Sequence, residues 1–239
     1  MGGAAGRVNT LMKAIARMDF ANTKFTASRS LWSYAKVQSA VSEAIRGRSL
    51  FFKQFPSGAF LLDLGPGPNL RSDFYNIDFM WKPGIDRCVD IRKGMALPAG
   101  RAAGAFTEHC LEHIDVADCA NVLAEVHRSL VPGAWLRIVV PDLETYARRY
   151  VASIESGINE MPYATATIGG LSTPAVPFNI VMREHEHRFI YDFPTLRQLL
   201  ERTGFRNVTK CRFGEGNDPR LLRDTPHRSV ESLYVEAQK

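Results

Sequence analysis

Ala59-Phe60-Leu61-Leu62-Asp63-Leu64-Gly65-Pro66-Gly67 is the stretch that decides the architecture of this 239-residue chain. A turn, Pro56-Ser57-Gly58, precedes it, and a glycine-rich turn ends it. A short run that is apolar at both pleat positions reads as a parallel strand buried on both faces. Downstream, Phe74-Tyr75-Asn76-Ile77-Asp78 reads as a second strand, Arg87-Cys88-Val89-Asp90-Ile91 as a short third and Ala103-Gly104-Ala105-Phe106 as a fourth. From Asp115, an N-cap, Val116, Cys119, Val122, Leu123, Val126 and Leu130 trace one helical face up to Pro132-Gly133. Ala134 to Val140 is a fifth strand, and a helix follows from about Leu143 to Ile154. A further helix carries Leu196, Leu199 and Leu200 and closes at Gly204 as C′. Phe205–Phe213 and Ser232–Ala237 supply the last two strands. The alternation predicts an α/β protein: a Rossmann-like, doubly wound, mostly parallel seven-stranded sheet whose last strand is antiparallel.

Upstream, Val8, Leu11, Met12 and Ile15 share one helical face, and Leu31, Tyr34, Val41 and Ile45 another that ends at Gly47. Residues 1–55 are read as an N-terminal helical cap and 56–239 as the main domain. Gly157 to Pro177 is rich in Gly, Thr and Pro without a period, which makes 156–182 a candidate active-site lid.

Composition is that of a soluble globular protein, 45% hydrophobic and 23% charged. The net charge of +5 suits an anionic partner, but Arg148-Arg149-Tyr150 is too short for an RNA groove, so no nucleic acid is expected. No apolar run approaches the roughly 20 residues of a membrane span. Cys88, Cys110, Cys119 and Cys211 form no CxxC pair, which points to a reducing compartment and a cytoplasmic protein. Oligomeric state is left open, a homo-oligomer included.

Three successive strands end in carboxylates, Asp63, Asp78 and Asp90, where open α/β sheets bind their ligands. A dinucleotide would need GxGxxG opening a helix that holds a pyrophosphate. Here Pro66 and Pro68 break the turn, Asn69 and Leu70 follow it, and only 13 positions separate Gly65 from Asp78. The pattern suits a cationic nucleoside without phosphate, which needs acceptors for an amino group, ribose hydroxyls and an adenine amine.

These residues resemble the class I S-adenosylmethionine-dependent methyltransferases. The similarity extends through Asn76-Ile77-Asp78, Asp90-Ile91-Arg92, His109-Cys110-Leu111-Glu112-His113-Ile114, Leu130-Val131-Pro132-Gly133-Ala134 and Leu199–Phe205, over about residues 59–239. It is nearest to a compact bacterial branch associated with sugar or polysaccharide modification. The resemblance implies S-adenosylmethionine as cofactor, with Asp63, Gly65 and Gly67 at its methionine end. Asp78 would hold the ribose hydroxyls, Phe79 or Met80 would lie against adenine, and Asp90 with Ile91 would meet the adenine edge. Asn69 stands where the family has a third glycine.

An alcohol acceptor must lose a proton during methyl transfer, and histidine is the commonest base. His109 and His113 flank Glu112, and Glu184-His185-Glu186-His187-Arg188 follows the lid. His109 and His187 are the candidate bases; His113 reads as packing or capping a helix. Asp142 could orient substrate or simply start a helix. HxxEH also matches an inverted zinc-protease pattern, which its place at a strand-to-helix junction argues against. The cluster is similar to one in plant small-RNA 2′-O-methyltransferases that holds a divalent ion; His109, Glu112, His113 and His187 could imitate it, with His109 standing where that family has a glutamate, so a metal stays open without being assigned. The leading expectation is O-methylation of a saccharide hydroxyl. The alternatives are a natural-product O-, N- or C-methyltransferase acting on a small molecule, and a non-catalytic cofactor-binding subunit.

Overall fold

The computed structural model describes residues 29–239; the stretch expected to be helical over Val8–Met18 lies outside them. In chain order the elements are α1 (Arg29–Ile45), β1 (Phe60–Leu64), β2 (Phe74–Asp78), β3 (Arg87–Cys88), β4 (Ala102–Glu108), α2 (Val116–Ser129), β5 (Trp135–Pro141), α3 (Leu143–Ser156), α4 (Ala175–Arg183), α5 (Phe193–Arg202), β6 (Arg206–Cys211) and β7 (Ser232–Gln238). The seven strands form one sheet in the order β3-β2-β1-β4-β5-β7-β6. β7 runs antiparallel to both neighbours, and the other pairings are parallel.

Side-chain parity separates the two faces of this sheet. Leu62 and Leu64, Ala105, Leu136, Ile138 and Val140, and Leu233 and Val235 belong to the main core with Cys119, Val122, Leu123 and Val126 of α2 and Leu196, Leu199 and Leu200 of α5. Residues of the opposite parity, Leu61, Phe106, Val139 and Tyr234, pack instead with Phe74 and Leu221. That second face is closed by the connection between β6 and β7. No helix separates β1 from β2 or β2 from β3, in keeping with the few residues the sequence leaves there.

The second face also carries the buried charges. Arg137 on β5 is fully buried, pairing with Asp224 at 2.5 Å and Glu236 at 3.1 Å. It donates as well to the carbonyls of Glu215 and Arg212. Arg71 donates to Asp63 at 2.8 Å and lies 4.3 Å from the centre of the Phe106 ring. Ions buried this deeply persist only where every partner is present, so these pairs pin the connecting loops to the sheet.

Two expected elements change shape. β3 ends at Cys88 rather than Ile91, because Asp90 caps a 3-10 turn, Ile91–Lys93, by accepting the Arg92 amide. The expected lid is not irregular throughout: Ala175–Arg183 forms α4, whose Val181 and Phe178 pack with Tyr146, Met161 and Ile190. The apolar content of Val176–Val181 stabilises a helix once α3 offers it a partner.

α1 docks at the β3 edge, with Ile45 packed against Ile85 and Cys88. Ser42 Oγ accepts the Trp81 amide at 2.8 Å, and Gln38 Nε2 donates to the Trp81 carbonyl. Arg46 Nε donates to the Phe79 carbonyl at 3.0 Å, and its guanidinium sits 3.4 Å over the Phe79 ring. The described part of the N-terminal segment therefore braces the loop after β2. Among the described residues no helix is long and apolar enough to cross a membrane.

Candidate active site

Two clefts open beyond the carboxyl ends of the strands. The first, of about 450 Å³, is lined by the turn after β1 (Gly65, Gly67), the end of β2 (Ile77, Asp78, Phe79, Met80), Asp90 and Ile91 after β3, and the segment after β4. The second, of about 560 Å³, lies between that segment, the start of α3, the lid and the turn before β7. His109 and His113 line both.

The glycine turn is shaped by close approach. Gly65 has φ +65°, and a Cβ there would meet Cys110 Sγ at 2.4 Å, so only glycine lets the turn pass the β4 loop. Gly67, at φ +50°, faces open space, and its amide donates to Asp78 Oδ2 at 3.0 Å. Asp78 Oδ1 accepts the Met80 amide at 2.8 Å. Burial raises the Asp78 carboxyl, and those two amides pull it back. Both oxygens keep a second acceptor position for hydroxyls. Phe79 is 45% exposed, which leaves the ring face opposite Arg46 open to a ligand.

The cofactor residues expected from sequence thus come together at the first cleft, with two qualifications. Asp90 lies at the cleft wall, but Arg92 grips its carboxylate through Nε and Nη2, both at 2.8 Å, and holds it below the usual carboxylate range. Asp63 does not line the cleft. It points to the second sheet face, wholly buried, with Oδ2 on Arg71 and Oδ1 without a partner. Burial pushes it up to about 6 against the pull of Arg71. A period-2 strand that puts Leu62 and Leu64 into the main core turns Asp63 away, so of the three residues expected at the methionine end Gly65 and Gly67 line the cleft and Asp63 does not.

The acceptor side is built around Glu112. It is fully buried, with both carboxylate oxygens lacking a hydrogen bond. Its Oε1 lies 3.3 Å from His109 Nδ1, 4.0 Å from His113 Nε2 and 3.9 Å from His187 Nε2. The Glu112 carbonyl accepts the amides of Arg188 and Phe189, which draws the post-lid strand of chain onto the β4 loop. His187 Nδ1 donates to the Val181 carbonyl at 2.6 Å, so its Nε2 is turned toward Glu112. Burial raises the Glu112 carboxyl, with His113 and His187 opposing. His109 has φ +49° at the end of β4, and its Nε2 lies 2.9 Å from Ser232 Oγ. Burial, reinforced by the nearby Arg228 charge, lowers its pKa to about 4, so the ring is neutral at physiological pH.

His109 and His187 are therefore adjacent through Glu112, and His113, read from sequence as packing, stands in the same cluster with its ring edge-on to His187. Asp142 serves as the N-cap of α3, accepting the Glu144 amide. Sequence reasoning missed Tyr146, Tyr163, Arg228 and Glu231 in the second cleft. Glu231 accepts Tyr146 Oη at 2.7 Å and Tyr163 Oη at 2.8 Å. Burial, with Glu231 beside it, holds the Tyr163 phenol up at about 12, so it stays a donor.

A family model described as "Methyltransferase domain" matches residues 34–210, more than half of the chain. The chain belongs to this family. It is an S-adenosylmethionine-dependent methyltransferase with the fold the sheet order describes. No curated protein matches it. Among solved structures it is similar to an S-adenosylmethionine-dependent methyltransferase from Archaeoglobus fulgidus, at 16% identity over 89% of this chain and 100% of that one, TM-score 0.45. One from Mesorhizobium loti gives 16% identity over 84% and 96%, TM-score 0.46. Phosphoethanolamine N-methyltransferase 2 from Haemonchus contortus, in complex with S-adenosylmethionine, gives 12% over 84% and 52%, TM-score 0.44.

The methyltransferase's first cleft fits its cofactor chemically. Asp78 offers acceptors to vicinal hydroxyls, and Ile77, Phe79, Met80 and Ile91 offer apolar faces to a base. The loop after β1 runs into β2 without a helix, so no helix N-terminus waits for a phosphate.

Proposed function

We propose that the methyltransferase acts on a hydroxyl of a sugar or glycan, with His109 as general base. The observation that carries this reading is the place of the His109 ring, in the wall shared by the cofactor cleft and the acceptor cleft. Bound S-adenosylmethionine supplies a methyl group already activated on a sulfonium, so positioning supplies much of the rate. In the tautomer with its proton on Nδ1, which lies 3.3 Å from Glu112, His109 has an Nε2 lone pair that Ser232 occupies until an acceptor hydroxyl replaces it and gives up its proton there. A ring that is neutral at pH 7 is in the form a base requires. His187 stands behind Glu112 as the second candidate.

In this reading Gly65 and Gly67 bring backbone close to the methionine end and Asp78 binds the ribose. Phe79 and Met80 lie against adenine, and Ile91 meets its edge beside an Asp90 shared with Arg92. Residues 56–239 form the catalytic domain, 1–55 the accessory segment and 156–182 the lid. The free thiols support a cytoplasmic setting.

The test is transfer of labelled methyl to a panel of free sugars and glycans. His109→Ala should lower turnover by about 100-fold or more, within the usual range for a lost base, while binding of S-adenosylhomocysteine is unchanged. Full activity in both His109→Ala and His187→Ala would remove the base assignment.

Glu112 favours a second reading, in which a divalent cation assists. Glu112, His113 and His187 each bring one ligand atom within 4.8 Å of the others, and the carboxylate is buried without a hydrogen bond. An ion there would be held by those three side chains and would polarise an acceptor hydroxyl in the adjoining cleft. Titration of the purified protein with Mn²⁺, read by electron paramagnetic resonance, should show one site lost in Glu112→Gln. Silence in the wild-type protein would discard the idea.

A further inference from the structure

The acceptor cleft contains an arginine whose guanidinium makes no hydrogen bond to another of the described residues. Arg228 sits in the 3-10 turn Pro226–Arg228, just before β7, and lines the cleft with His109, Glu231 and His227. Its side chain is 31% exposed, and its ion-pair partner among the described residues is Glu231, at 3.9 Å. That distance is too long for a hydrogen bond. The Glu231 oxygens are taken by shorter bonds, from Tyr146 at 2.7 Å and Tyr163 at 2.8 Å. More deeply covered arginines spend their guanidinium differently: Arg71, Arg87 and Arg137 each reach carbonyls or carboxylates within hydrogen-bond distance. A guanidinium carries five N–H donors in a planar fork that matches a carboxylate. Two-thirds covered and lining a concave space, this fork is placed where a ligand's carboxylate could meet it.

The other carboxyl lining the cleft besides Glu231 is Glu112, whose ion-pair partners among the described residues are His109, His113 and His187 rather than Arg228. His227 adds a ring donor at the exposed rim, and the Arg228 charge is felt at His109. The cleft therefore places a guanidinium, held from its nearest carboxylate by 3.9 Å, on the same wall as His109.

We propose that the acceptor carries a carboxylate, as in a uronic acid, and that Arg228 is the residue that reads it. The proposal rests on the sugar reading above and narrows its substrate class. The carboxylate would dock on the Arg228 fork while a ring hydroxyl reaches His109, since both line one cleft.

The experiment uses the full chain saturated with S-adenosylhomocysteine, titrated by calorimetry with glucuronate, glucose and inorganic phosphate. Glucuronate should bind at least about tenfold more tightly than glucose. Arg228→Gln should abolish that preference and Arg228→Lys keep part of it, with S-adenosylhomocysteine affinity and thermal stability unchanged in both. Equal binding of glucuronate and glucose by the wild-type protein, or a preference that survives Arg228→Gln, would overturn the proposal. So would phosphate binding more tightly than glucuronate. Labelled-methyl assays separate the two levels. Transfer to neutral sugars with no preference for acidic ones sinks the subsite and leaves the function. Arg228-dependent glucuronate binding without transfer to any sugar leaves the subsite and sinks the function.

Discussion

Arg46→Ala probes how the N-terminal helix reaches the cofactor. Arg46 is outside the cofactor cleft, yet its guanidinium covers one face of Phe79 at 3.4 Å and its Nε holds the Phe79 carbonyl at 3.0 Å. Phe79 is then a ring clamped on one face and open on the other, which suits stacking on adenine. A cation–π contact at an exposed site contributes about 0.5–1 kcal/mol, and a hydrogen bond about 0.5–1.5 kcal/mol. If half or more of that sum serves to fix the ring, Arg46→Ala weakens cofactor binding by about 1 kcal/mol, near fivefold in Kd. Calorimetry with S-adenosylhomocysteine on the wild type, Arg46→Ala, Phe79→Leu and the double variant gives a closed cycle. The double variant should bind about as well as Phe79→Leu alone, because Arg46 acts through the ring. An Arg46→Ala protein that binds like the wild type refutes the reasoning. So does a loss of the same size in the Phe79→Leu background, which would mean Arg46 contributes independently of Phe79.

Gly65→Ala should cost about 2–5 kcal/mol in urea unfolding, from a left-handed backbone and a Cβ driven onto Cys110. Gly67→Ala meets nothing within 4 Å and should cost only about 1–2 kcal/mol, so equal losses would mean the turn's close approach is misplaced. The His109 base predicts an unusual pH profile. Its pKa of about 4 lies below the unfolded value near 6.5, so the base form persists and kcat/KM should show no acidic limb between pH 5 and 7 on the order of the usual histidine range; a limb near 6.5 that His109→Ala removes would contradict the burial argument. The same shift makes His109 a source of lost stability as pH falls from about 6.5 toward 4, since only the unfolded chain binds that proton freely. Arg137→Met should destabilise by about 3–5 kcal/mol by orphaning Asp224 and Glu236, a shift read as the urea midpoint; a loss under about 1 kcal/mol would show that the pairs hold the loop less than their burial implies.

The succession of strands along the chain was legible because apolar runs and their spacing are local properties. Leu61–Leu64 and Ile138–Val140 read as strands, and the short link from Gly65 to Phe74 left little room for a full helix there. That Gly65, Gly67, Asp78 and Ile91 line one cleft follows for a related reason: each ends a strand or lies in the loop just after one, and a parallel sheet brings those ends together. Asp63 was legible as a strand-end residue but not in its direction, since being near a strand end does not settle which face a side chain takes. Its parity with Leu61 sends it to Arg71.

What the amino-acid order alone determined is the sheet, the glycine turn and the class of ligand they hold, because each depends on residues close together in the chain. Only the tertiary structure decided the acceptor side. Glu112 meets His187 across 75 positions of chain, and Tyr146 and Tyr163 meet Glu231 across 85 and 68. Burial, which sets the Glu112 and His109 protonation and leaves the Arg228 fork unspent, is a property of packed surroundings and has no signature in any single stretch of sequence.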